Sequence, residues 1–141
     1  MYLIDTDVVS EARKQTGANP GVRQFLESTT SSREALFLSV VTVGELRRAV
    51  ERIRHREGLR RAGPLEYWLE TLLNEYAEQI LGIGPDVAQL WGAIQLPRAA
   101  SVLDRQIAAT ARIHDLTLVT RKNDRFAGAG VPVLNPFVAN S

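Results

Sequence analysis

Tyr2-Leu3-Ile4-Asp5-Thr6-Asp7-Val8-Val9 is the stretch that decides the fold, because three apolar, β-leaning residues run straight into a carboxylate. A run this short, closed by a polar residue, predicts a buried strand ending at Asp5. Val8 to Arg13 then reads as helix, and Asn19-Pro20 supplies an N-cap and first turn for a helix through Val22, Phe25 and Leu26. The alternation continues downstream. Leu36-Phe37-Leu38-Ser39-Val40 is a second strand candidate. Thr42-Val43-Gly44-Glu45 has capping-box spacing and predicts a helix with Leu46, Ala49, Val50 and Ile53 on one face. Gly58, Gly63 and Pro64 interrupt that pattern before a second helical run through Leu65, Trp68, Leu69, Leu72, Leu73 and Tyr76, so a helical hairpin is expected here. Ile80 to Ile83 is a weak strand, and Gly84-Pro85 opens a helix with Val87, Leu90, Trp91 and Ile94. Asp104 to His114 reads as helix, Leu116 to Thr120 as strand, and Val131 to Leu134 as a last strand that Pro132 confines to an edge.

Short apolar strands alternating with helices imply an α/β fold with parallel pairing and helices on both faces of the sheet. The 141 residues, 45% hydrophobic and 23% charged, suit one domain over residues 1–141, with no repeat or linker. Without cysteine there is no disulfide framework, thiolate zinc site or cysteine nucleophile. The longest apolar run, Ala35 to Val43, is broken by Ser39 and Thr42 and falls far below the roughly 18 residues that cross a bilayer. Asp5 and Asp7 stand where an export signal is apolar, so a cytoplasmic protein without membrane contact is expected. The formal net charge of +1 conceals a split. Arg47 to Arg61 holds seven arginines against Glu51 and Glu57, whereas Leu65 to Asp86 holds five acids and no lysine or arginine.

In open parallel sheets the functional crevice lies beyond the carboxyl ends of the strands. Asp5 and Asp7 follow the first strand, Glu45 follows the second, Asp104 opens the helix leading into the late strand, and Asp124 follows that strand. Converging carboxylates repel one another unless a cation lies among them. Hard oxygen donors without cysteine favour Mg2+ or Mn2+, and such an ion suits metal-assisted phosphoryl transfer to water. Each acid also has a structural reading: a strand-end turn or N-cap for Asp5, the capping box for Glu45, a first-turn helix acid for Asp104, a surface loop for Asp124.

At these residues the chain resembles the PIN-domain ribonucleases, in particular the VapC/FitB-like toxins of type II toxin–antitoxin systems. The resemblance rests on Met1 to Glu11, Leu38 to Arg47, Asp104 to Ala111, Leu116 to Arg121 and Val133 to Phe137, which recur in family order along nearly the whole chain. It implies a three-layer α/β/α domain with a central, mainly parallel sheet and a Mg2+- or Mn2+-dependent site that cleaves RNA. Asp5, Glu45 and Asp104 match the family's first three acids. Thr6 and Thr120 match its small hydroxyl residues, and Asp7 stands where relatives carry Asn or Asp. At the position of Lys122 the family usually has Asp or Asn, so one ion held mainly by Asp5 and Asp104 is expected. Asn123 or Asp124 supplies the missing oxygen only through a shifted loop. Lys122 reads as a solvated surface lysine, or alternatively as a contact to substrate phosphate. The resemblance further implies a homodimer and a cognate VapB/FitA-like antitoxin whose C-terminal segment blocks the acidic site.

Arginines beside an acidic pocket hold RNA phosphates; Arg47, Arg48, Arg121 and Lys122 are the candidates, and ion pairing between the two hairpin helices is the structural alternative. Three other functions compete. A catalytically weak module with this fold would act through antitoxin pairing and DNA regulation, as the lysine at 122 suggests. Asp5-Thr6-Asp7-Val8-Val9 also fits the D-x-D-x-[TV] motif of haloacid-dehalogenase-like phosphatases, although Glu45 and Asp104 have the wrong order and spacing for them. His55 and His114 formally permit a metal-free ribonuclease, but each has a surface or capping explanation.

Overall fold

The computed structural model describes residues 1–139; the last two residues of the domain expected over 1–141 lie outside the described residues. The strands are β1 (Tyr2–Ile4), β2 (Leu36–Ser39), β3 (Ile80–Leu81), β4 (Thr117–Val119) and β5 (Val133–Leu134). The helices are α1 (Thr6–Ala12), α2 (Pro20–Ser31), α3 (Val40–Glu57), α4 (Leu59–Glu75), α5 (Pro85–Ala93) and α6 (Val102–Ile113). All strand pairs are parallel, in the order β3-β2-β1-β4-β5. β1 lies at the centre, with Leu3 opposite Phe37 on one side and Leu118 on the other.

The two-residue side-chain period of the strands separates two apolar cores. Leu3 and Leu118 face Ile94, Ile107, Ala108, Ala111 and Phe126 on the side covered by α5 and α6. Ile4, Leu38 and Val119 face Val8, Val22, Leu46, Val50 and Leu69 on the side of α1 to α4. Ala108 and Ala111, both fully buried, let the α6 backbone lie close against the sheet.

Two local expectations are corrected. Val40 belongs to α3 and not to the second strand, because the Ser39 hydroxyl accepts the Val41 N–H at 3.0 Å and caps the helix there. The Thr42–Glu45 capping box is therefore absent, and Thr42 is buried within the first turn. The second break in the hairpin is also absent. The chain turns at Gly58 alone, in the left-handed region (φ 81°), while Gly63 and Pro64 lie inside α4. Pro64 sits in the second turn of that helix on its exposed side, where the Arg60 carbonyl left without its N–H can be met by water. The expected hairpin itself forms, and the edge position of β5 follows from Pro132, whose carbonyl accepts the Leu118 N–H.

Candidate active site

The chain builds β1, β2 and β3 outward on one side, then crosses to place β4 and β5 on the other. The switch point lies between β1 and β4, and a crevice opens there beyond their carboxyl ends. Asp5 and Thr120 are the first residues past these strands. The Asp5 N–H continues the ladder to the Val119 carbonyl at 2.9 Å. Its side chain is fixed from two directions: Oδ1 accepts the Thr6 N–H at 2.8 Å and caps α1, and Oδ2 accepts the Thr120 hydroxyl at 2.7 Å. Asp5 is fully buried.

Asp104 reaches the same place from the start of α6. It forms a capping box with Ser101: its Oδ2 accepts the Ser101 N–H at 2.9 Å, and its own N–H donates to the Ser101 hydroxyl at 3.0 Å. Oδ1 is left to receive the Lys122 ammonium at 2.9 Å. The same Nζ lies 3.6 Å from Asp5 Oδ2, so two buried carboxylates share one lysine cation. Arg125 approaches Asp104 Oδ2 more distantly, at 3.7 Å. Burial pushes the Asp104 carboxyl up, but the Ser101 N–H and the Lys122 ammonium outweigh it and hold the group below the usual carboxylate range. Burial likewise pushes Lys122 down, yet the Asp5 charge and the bond to Asp104 prevail and raise it, so the lysine stays charged.

Glu45 joins this pair through Thr6, whose hydroxyl donates to Glu45 Oε1 at 2.6 Å and lies 3.1 Å from the Thr42 hydroxyl. Asp7 accepts the Arg121 N–H on Oδ2 at 3.0 Å, while its Oδ1 is buried with no hydrogen-bond partner. Burial and then the Asp5 charge raise the Asp7 carboxyl to about 6. Among the described residues no three acids close into one ready-made ligand set. A cavity of about 550 Å³ opens beside Glu45, lined by Thr6, Arg48, Arg52, Leu103 and Gln106 among others.

The remaining candidates fall elsewhere. Arg47, singled out for RNA phosphate, is committed to an ion pair, with its two terminal nitrogens 2.8 and 2.7 Å from the Glu66 carboxylate across the hairpin. A residue two positions after Glu45 points to the far side of a helix; Arg48 and Arg52, three and seven positions on, share its face and line the cavity. Arg121 lays its guanidinium over the Phe137 ring, 4.8 Å from the centroid, in a cleft that Glu11 and Lys14 also line. Lys122 is not a solvated surface lysine, since Asp104 and Asp5 engage its ammonium. Asp124 is exposed in the 3₁₀ turn Asn123–Phe126 and brings no oxygen to the pair. Sequence reasoning missed Arg52, Gln106, Ser101 and Thr42; Ser101-Val102-Leu103-Asp104 has capping-box spacing and Arg52 lies on the Glu45 face, so two of the four carried a signal. A phosphatase nucleophile is a poor description of Asp5, both of whose oxygens are buried and hydrogen-bonded.

The donor set fits a hard divalent ion. Asp5 Oδ2 and Asp104 Oδ1 already converge on a cation, and both are hard carboxylate oxygens of the kind such an ion takes.

Comparison with known proteins identifies the family to which this fold belongs. Toxin FitB of Neisseria gonorrhoeae is 32% identical over 97% of this chain and 99% of its own length. VapC ribonuclease Y4jK of Sinorhizobium fredii is 29% identical over 97% of this chain and 98% of its own. The solved structure of FitAB bound to the IR36 DNA fragment superposes with a TM-score of 0.84 at 30% identity, covering all of this chain and 99% of that one. Residues 2–131 match the PIN domain, a span that holds every carboxylate of the crevice, and the chain belongs to the PIN domain family.

Proposed function

We propose that this chain is a metal-dependent endoribonuclease, the toxin half of a toxin–antitoxin pair, hydrolysing RNA phosphodiester bonds with Mg2+ or Mn2+. The observation that carries this reading is the convergence of Asp5 and Asp104 on a single cation at the sheet's switch point, beside a cavity edged by Arg48 and Arg52. Asp5 and Asp104, with Glu45 at the cavity beside them, would hold the ion, which supplies Lewis-acid polarisation and an activated water when bound. The chain's own groups do the rest. Thr120 and the Thr6 N–H fix the Asp5 carboxylate, Thr6 and Thr42 aim Glu45, and Ser101 orients Asp104. Arg48 and Arg52 hold the RNA backbone by charge, which an acidic pocket cannot do for itself.

The similarity to a protein named a toxin, and to the FitAB complex on DNA, supports an antitoxin of the VapB/FitA kind as partner; a homodimer and a cytoplasmic place of action belong to the same proposal. Asp5→Asn keeps the shape of the side chain and removes its charge. It is expected to abolish RNA cleavage while the circular-dichroism spectrum stays that of the wild type. Wild-type protein that is folded, free of antitoxin and supplied with Mg2+ or Mn2+, yet leaves every RNA intact, would contradict the reading. The presence of Lys122 between the acids favours one second reading, a weakly catalytic module acting through antitoxin pairing and DNA regulation. Tight antitoxin binding without any divalent binding in calorimetry would select it.

A further inference from the structure

Lysine is scarce in this chain, with Lys14 and Lys122 set against fifteen arginines. One of these two lysines has its Nζ 2.9 Å from Asp104 Oδ1 and 3.6 Å from Asp5 Oδ2. Both carboxylate side chains are at most 3% exposed, whereas the Lys122 side chain is 31% exposed. Its charged head meets the buried pair while nearly a third of the side chain stays in contact with solvent. The remaining contacts of the pair explain why the head matters. Asp104 Oδ2 is engaged by Ser101, with Arg125 more distant at 3.7 Å, and Asp5 Oδ1 by Thr6, while Thr120 holds Asp5 Oδ2 from one side. The oxygens facing the crevice, Asp5 Oδ2 and Asp104 Oδ1, are the two that the ammonium faces, and they are the two that an ion shared by these residues would take.

Two ionised carboxylates this close and this buried cannot stand without a positive charge between them. An ammonium on a flexible four-carbon stem is a point charge that can leave by rotating its own side chain, which a planar, forked guanidinium does less readily. The Lys122 backbone is meanwhile anchored, because its N–H donates to the Thr120 hydroxyl at 3.1 Å. The head can withdraw without moving the loop.

We propose that Lys122 is a tethered cation that neutralises the Asp5–Asp104 pair in the metal-free protein, and that a divalent ion enters only by displacing the Lys122 ammonium. This rests on the metal-dependent reading given above. Metal affinity then carries the work of breaking the lysine contacts, and the site is never an open pair of charges. The lysine acts as a positioning residue for the carboxylates.

The test is Mn2+ binding by calorimetry to the full chain, as wild type, Lys122→Met and Lys122→Arg. Lys122→Met is expected to bind Mn2+ about tenfold or more tightly than wild type, and Lys122→Arg no more tightly than wild type. Equal affinity of wild type and Lys122→Met overturns the proposal and leaves the nuclease reading standing. Absence of Mn2+ binding in all three overturns both. Should Lys122→Met not fold, the wild type itself decides, since its lysine ε-methylene NMR spectrum contains two residues, assigned with Lys122→Arg. On titration with Mg2+ the Lys122 signal is expected to move to the position of a solvated lysine at the calorimetric midpoint. A Lys122 signal that stays in place while Mg2+ binds overturns the proposal.

Discussion

Asp7 has an oxygen with no partner, and its effect on stability has a definite sign. Burial and the neighbouring Asp5 raise its carboxyl from 3.8 to about 6 in the folded chain. A raised acid is favoured protonated in the folded state, so folding loses stability as the pH climbs from the unfolded value through about 6, and the penalty is complete above that. Asp7→Asn in metal-free buffer is therefore expected to stabilise the protein at pH 8 by on the order of 1–3 kcal/mol and to change little at pH 3.5. Denaturant melts at the two pH values measure this, and an equal effect at both would show that Asp7 is solvated. The placement of Asp5 was legible from three apolar residues meeting a carboxylate, because a strand end is a local property. The resemblance marked the position of Lys122, but its pairing with the two acids was not legible. Its sequence neighbours Arg121, Asn123 and Asp124 are polar and suggest a surface loop, whereas its partners Asp104 and Asp5 come from another helix and another strand.

At the scale of elements, the arginine-rich and acidic runs resolve into two populations on the α3–α4 hairpin. Arg47 and Arg54 share the Glu66 carboxylate, and both also engage Glu51. The hydrogen bonds from Arg47 and Arg54 hold Glu66 down at about 2. These residues are the part of the charge split that serves the hairpin, as the ion-pairing alternative anticipated. Arg48 and Arg52 are the part that faces the cavity. Replacing either with Ala is expected to weaken RNA binding and to lower the salt dependence of log K by about one per residue. Arg47→Ala is expected to leave both unchanged. Fluorescence anisotropy over a salt series separates the two groups, and a loss for Arg47→Ala equal to that of Arg48→Ala would contradict the assignment. Element types followed the apolar periodicity closely. The two misplaced boundaries, at Ser39 and at Pro64, have one cause: capping and packing act on particular side chains, and the apolar period does not record which residue caps.

For the whole molecule, the two apolar cores lie back to back on the same strands, since Leu3 and Ile4 are successive residues facing opposite sides of the sheet. Neither core can lose its sheet face without disturbing the other. The metal-free chain is accordingly expected to unfold in urea as one cooperative transition, coincident by fluorescence and circular dichroism; two separated transitions would show independent units. The parallel sheet and its helical layers could be read from the alternation of short apolar runs with helices. The crevice followed from that topology. The net charge of +1 was the least informative quantity, because it sums a paired hairpin, a basic cavity rim and a neutralised acid pair. The Asp5–Asp104 pair is proposed as the hydrolytic centre, and the single-turnover rate of RNA cleavage with Mg2+ or Mn2+ for wild type and Asp104→Asn tests that role. The asparagine keeps an oxygen for the Ser101 N–H, so the melting temperature is expected to change little while cleavage falls by about a thousandfold or more. Cleavage at the wild-type rate by folded Asp104→Asn would contradict the claim.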